Sequence, residues 1–413
     1  MPRLNRLTTE LAATAGPQND ASIGARVRSF FWGRSLEECI EGGQDNILLV
    51  RLVAALLVIY GHSGIGGGDM GPYDFVRWIF PDLLTHLVGL FAFFLLSGIL
   101  VPLSYIRTPH LARFLRARVL RIWPALAVCI LLWAFVFGPM LSELSAKIYF
   151  GIHVPGGPYW YAYHGLSIFA IENTLPQVFV HNPQALQINT PLWSIAVEAG
   201  LYLWVAGAGV LRLLRLPWLT SIAIAAIFSY LVLLPMEYGQ FALLPQLHTA
   251  VRAFFAAGAI LCLMRKYVRI SSGIMLVVAI VCGIMQRTIH HLPFALLATG
   301  YAVLWFSYVP RLPEIPRRAD FSYGTYLWGW PVQQTVVMLG QVKAPLVVFA
   351  ISAPTALSIG VLSWFLIEKP ALRWKDRRIA WPSWMIRLVA MRSAKPVAPP
   401  EGATGVISAE QPG

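Results

Sequence analysis

The stretch DNILLVRLVAALLVIYGHSG, Asp45 to Gly64, decides how this chain reads. It is apolar and long enough for a membrane helix, yet it carries Arg51 near one end and His62 near the other. The same bias runs through all 413 residues: 57% are hydrophobic and 12% charged. Soluble domains hold about 25% charged residues. Low charge with long apolar runs predicts an integral membrane protein.

Crossing the hydrocarbon takes about 20 apolar residues. Ten stretches qualify: 46–64, 86–105, 119–137, 191–211, 218–235, 248–264, 273–286, 293–309, 322–340 and 345–367. The seventh is short and contains glycine. The expected fold is therefore all-α and polytopic, with about ten transmembrane helices. A tail over 1–45 precedes the domain at 46–378, and a second tail covers 379–413, where WPSWMIRLVAMR reads as an interfacial amphipathic helix. No apolar core of signal type lies in the first 44 residues. The loop 138–190, rich in proline, glycine and aromatics, reads as an ordered lid or re-entrant piece.

The 32 lysines and arginines divide by loop. Alternate loops and both tails hold 26 of them, and the intervening loops hold only Arg77, Lys147, Arg287 and Lys343. Such a split puts both termini in the cytoplasm. It also explains the net charge of +13 as topology, so no nucleic-acid partner is expected. The four cysteines, Cys39, Cys129, Cys262 and Cys282, show no metal spacing and read as packing residues. No metal site is expected.

Arg51 and Arg252 are the basic residues left inside spans, Glu198 the acidic one, and His62 closes the first span. Ionisable groups at such depth are costly and mark function or a structural ion pair. Arg51 and His62 are eleven residues apart, within roughly 20° of one helix face and ~16 Å along it. Counting from the span ends puts His62, Glu198 and Arg252 in one outer layer. There His62 serves as general base, with Glu198 orienting its other nitrogen. Ser63 and Ser97 sit in no nucleophile elbow and read as helix-packing serines. On the cytoplasmic side, ARFLRARVLRIWPAL places Arg118 and Arg121 on one helix face, suited either to phosphate or to topological anchoring.

At these residues the chain resembles the membrane acyltransferase 3 family, over about residues 45–378. RLVAALLVIYGH is similar to its Arg, ten residues, His motif, at Arg51 and His62. FAFFLLSGIL resembles its Ser-Gly segment at Ser97 and Gly98, and RVLRIWP its Arg-x-x-Arg element at Arg118 and Arg121. PLWSIAVEAGLY matches through Trp193, Ser194 and Glu198, RAFFAAG through Arg252 and Gly258, and FSYGTYLWGWPV, with Tyr323, and IEKPALRW look like the closing segments. Gly329 stands where members often carry a histidine.

The resemblance implies acyl-CoA, commonly acetyl-CoA, as cytoplasmic co-substrate, with no other cofactor. The acceptor would be a hydroxyl of a surface polysaccharide or lipid-linked sugar, and the site the bacterial inner membrane. Arg51, Arg118 and Arg121 would hold the donor, and His62 and Glu198 would carry the chemistry. Arg252, Trp193, Ser194, Ser97, Gly98 and Tyr323 would support them. Membrane lipid is the remaining partner. Acylation of a small hydroxylated metabolite or succinylation of a glucan stays open, as does a transporter without chemistry, although no internal repeat favours the last.

Overall fold

The computed structural model describes residues 30–43, 45–64, 70–169, 172–237, 243–286, 288, 291–313, 319–342 and 344–376. The interfacial helix expected at 381–392 lies outside them. Each of the ten expected stretches is helical: α1 Ile47–His62, α2 Thr85–Arg107, α3 Leu111–Leu132, α4 Trp193–Val210, α5 Pro217–Glu237, α6 Leu243–Leu263, α7 Ser272–Met285, α8 His291–Tyr308, α9 Ser322–Gly340 and α10 Pro345–Ser363. π-turns at Trp133–Phe137 and Trp364–Glu368 carry α3 on to Leu141 and α10 into its last turns. Among the described residues, four helices are long and apolar enough to cross a membrane: Thr85–Arg107, Leu111–Leu141, Thr190–Val210 and Pro345–Lys375. The all-helical class is as expected; α1, with 16 residues, spans only ~24 Å.

The starts of three helices follow directly from sequence chemistry. Proline opens α5 and α10, where its missing N–H costs nothing. Ser271 caps α7 by accepting from the Ile274 amide at 3.1 Å. The expected N-terminal tail is partly built into the body. Ser35 and Glu38 form a capping box on a short helix, Leu36–Glu41, whose Leu36 is fully buried. Just before it, the two-residue strand Arg34–Ser35 pairs antiparallel with Arg269–Ile270.

The core is laid around α2, which packs on α1, α4, α6 and α8. Close approach needs glycine at one crossing. Gly98 of α2 lies against Gly258 of α6, and a Cβ at either would strike a backbone carbonyl, that of Phe255 or of Leu95. Contacts fix directions. Gly61 and Gly89 meet His86 and Ala54, so α1 and α2 are antiparallel. Arg51 meets Ser322, Ile59 meets Gly329 and Ser63 meets Gln333, so α1 and α9 run parallel. Arg51, the arginines of α3 and the start of α9 thus share one basic end.

The 138–190 loop is ordered where described. It contains the helices Ala146–Gly151 and Pro158–Leu166 and then folds onto the far half of α9. Asn182 donates to the Gln334 carbonyl at 2.9 Å, Trp330 to the Gln187 carbonyl at 3.2 Å and Asn189 to the Leu327 carbonyl at 2.9 Å.

Candidate active site

At the basic end a cavity of about 410 Å³ opens between α1, α2, α3, α4 and the turn before α9. Arg51, Ser97, Arg118, Arg121, Tyr202 and Asp320 are among its walls. The two arginines that the sequence pairs on one face of α3 have different lives. Arg121 is committed: its Nη2 meets Asp320 Oδ2 at 2.6 Å and its Nη1 meets Glu368 Oε2 at 3.0 Å. Its guanidinium also lies 5.5 Å from the Tyr323 ring, whose hydroxyl donates to the Ile122 carbonyl at 2.8 Å. Arg118 lies over the Phe114 and Tyr202 rings, at 5.7 and 5.5 Å, and its Nε is buried with no hydrogen-bond partner among the described residues. Of the pair, Arg118 is the one whose guanidinium meets no carboxylate among the described residues, and it lines the cavity.

Arg51 joins the same network. Its Nε approaches Asp320 Oδ2 at 3.2 Å and donates to Ser322 Oγ at 3.4 Å. Burial pushes the Asp320 carboxyl up, but Arg121, Arg51 and Ser322 outweigh it and hold it at about 2. Asp320 and Glu368 are what the sequence reading missed. Glu198 is not the one acid within a span, because the π-turn carries α10 on to Glu368, which is 1% exposed. The available signal was a carboxylate at each end of the α9–α10 pair, level with the arginines of α3.

Glu198 does not sit beside His62. Its Oε1 accepts from Ser97 Oγ and from Tyr202 Oη, both at 2.7 Å. Ser97 stands eleven residues from His86 on α2, ~16 Å along the axis, and the His86 ring stacks on His62 at 4.6 Å. The expected common layer is therefore corrected: Glu198 is bonded to two walls of the inner cavity, Ser97 and Tyr202, and His62 Nδ1 is buried without a partner among the described residues. The cause is the entry to α4. Asn189 is bonded to Leu327, six residues, roughly 9 Å, before Gln333 on α9, so the helix begins already deep in the molecule.

Arg252 is exposed, one turn from His248, whose ring stacks on Trp193 at 4.5 Å. Ser194 is spent on structure: its hydroxyl donates to the Pro191 carbonyl at 2.9 Å and meets Tyr326 Oη at 2.6 Å. Gly98 serves the α2–α6 crossing described above. Gly329 faces Ile59 of α1, where a larger side chain has no room.

His62 borders a second, small pocket of about 30 Å³, lined also by Trp330, Gln333, Gln334 and Gln184. The Trp330 ring meets His62 edge-on at 5.1 Å. Between the two sites lies Phe93, whose ring is 5.5 Å from the Arg51 guanidinium and 5.7 Å from the Tyr326 ring. His86, Phe93 and Ser97 fall within roughly 40° on α2, as Arg51 and His62 do on α1. One seam between antiparallel neighbours thus links a basic cavity to a buried imidazole.

In chemical terms the seam sets guanidinium groups at one end and an imidazole at the other. Residues 45–365 match the acyltransferase 3 family, described as an acyltransferase domain, and the chain belongs to that family. It is an acyltransferase, which sets aside transport without chemistry. The chain is similar to an O-acetyl transferase of Shigella phage Sf6, 28% identical over 331 residues that cover 77% of this chain and 93% of that protein. It is also similar to Nodulation protein 10 of Rhizobium leguminosarum bv. viciae, 27% identical over 368 residues, 82% of this chain and 96% of the relative. No solved structure matches.

Proposed function

We propose that the chain moves an acyl group, acetyl above all, from cytoplasmic acyl-CoA to a hydroxyl of a surface polysaccharide or lipid-linked sugar. It does so as a ten-span protein of the bacterial inner membrane, with both termini in the cytoplasm. The observation that carries this reading is the seam. Arg118, with its unpartnered Nε, lines the cavity at the basic end, and His62 stands ~16 Å from Arg51 on the same face of α1. The name of the phage relative supports acetyl as the group and oxygen as its acceptor. The 26-to-4 division of basic residues supports the cytoplasmic placing of the cavity.

In this reading the nucleotide phosphates of CoA take the guanidinium of Arg118 at the mouth. The pantetheine arm runs up the seam, past Phe93, and delivers only the thioester to the far side. His62 takes the proton of the acceptor hydroxyl as its oxygen attacks the thioester carbon. The C–S bond breaks, CoA leaves as thiolate on the cytoplasmic side, and an ester forms. Glu198 acts at a distance from His62. It holds Ser97 and Tyr202 on the cavity wall, and Asp320 and Glu368 hold Arg51 and Arg121.

The deciding experiment uses purified protein in lipid nanodiscs with acetyl-CoA, and follows free thiol. Slow release alone, faster release with a glycan acceptor and release at least 10²-fold slower from His62→Ala are expected. Thiol release from His62→Ala at the wild-type rate would remove the base from this reading.

A further inference from the structure

Gln333 is 5% exposed, on the half of α9 that faces α1. Its amide nitrogen donates to the Ile59 carbonyl at 2.6 Å and to Ser63 Oγ at 2.7 Å. A main-chain carbonyl can only accept, so the nitrogen is fixed on that side and the orientation of the amide follows. Its Oε1 is then buried with no partner among the described residues. Ile59 and Ser63 belong to the last turn of α1 and its cap, the same turn that carries His62. A buried acceptor is thereby anchored to the backbone that positions the imidazole, and both side chains border the small pocket.

A buried carbonyl left unpaired costs free energy that a ligand donor would recover. The pocket, about 30 Å³, has room for a hydroxyl-bearing carbon or two and not for a sugar ring. Only the tip of an acceptor can enter. We infer that Gln333 Oε1 accepts a hydrogen bond from a second hydroxyl of the acceptor, adjacent to the one His62 activates, so that the site selects vicinal diols over isolated hydroxyls. This rests on the reading of His62 as the acceptor-side base. Gln333 is a specificity-determining residue here, and the reacting atoms remain with His62.

The test compares 1,2-propanediol with 1-propanol as surrogate acceptors for protein in nanodiscs with acetyl-CoA, measuring the ester formed. The wild type should favour the diol roughly tenfold in kcat/KM, the scale of one buried hydrogen bond. Gln333→Met should bring the ratio close to one. Ser63→Ala, which removes one support of the amide but leaves its carbonyl, should keep the preference. Equal turnover of the two probes by wild type, including none of either, overturns the inference. So does a preference that survives in Gln333→Met, or a loss in Ser63→Ala as large as in Gln333→Met, which would make the amide a mere brace for α1. If His62→Ala still turns over both probes, the reading of the base has failed. If His62→Ala is inactive and Gln333→Met keeps the diol preference, only the present inference has.

Discussion

Arg51 and Arg121 close on the same carboxylate oxygen, Oδ2 of Asp320, at 3.2 and 2.6 Å. One acid in the turn before α9 thereby ties α1 to α3 and fixes two guanidinium groups in the cavity wall. The arrangement gives Asp320 a structural weight that is measurable apart from catalysis.

Asp320→Asn should destabilise the folded protein by about 3 kcal/mol, because two largely buried cations lose their shared partner. The carboxyl is held at about 2, below its ordinary 3.8. A depressed acid stabilises the fold above its unfolded value and loses that contribution as pH falls through the folded one. The gap between wild type and Asp320→Asn in detergent unfolding should therefore narrow as pH falls from 3.8 to about 2. A gap that persists unchanged at the acid end would show that the ion pairs are not its source.

Arg118 and Arg121 should separate. Arg118→Ala is expected to weaken CoA binding about tenfold with little loss of stability, since among the described residues no carboxylate meets its guanidinium. The loss should shrink in high salt, where screening weakens the wild type. Arg121→Ala should unfold at lower denaturant, because it strands Glu368, 1% exposed, beside Asp320. Calorimetry with CoA and with its dephosphorylated analogue checks the first, and unfolding curves check the second. Equal affinity in Arg118→Ala and wild type would move the donor site elsewhere.

His62→Ala should lower transfer by at least 10²-fold, the low end of what a general base contributes. The imidazole packs against His86 and Trp330, so the variant's unfolding midpoint must be measured alongside. A folded variant with more than about a tenth of wild-type turnover contradicts the role.

Glu198→Gln should bind CoA at least as tightly as wild type, because a negative charge leaves the neighbourhood of a phosphate site. Its rate should fall less than that of His62→Ala. The two substitutions should be additive within ~0.5 kcal/mol in log turnover, as expected of sites more than 10 Å apart. Strong coupling in the double variant would restore a direct His62–Glu198 partnership.

The helices were legible in the sequence because each expected span is a local object, an apolar run, and in α3, α5, α7 and α10 a proline or a capping side chain marks where it opens. The Arg51–His62 relationship was equally local, since eleven residues on one α-helix fix both an angle and a rise without reference to any neighbour. Depth between helices was not legible. Counting from span ends assumes that every helix starts at the same surface, and α4 starts below it, drawn in by Asn189 bonded to Leu327. Nor could the sequence divide Arg118 from Arg121. They share a face and a chemistry, and what separates them is a pair of carboxylates, 199 and 247 residues away, that reach Arg121. Local hydrophobic periodicity thus determined which segments are helices and where their charges lie along each axis. Which charge meets which was decided by the packing of α1, α3, α9 and α10, because a buried ion finds its partner across the fold rather than along the chain.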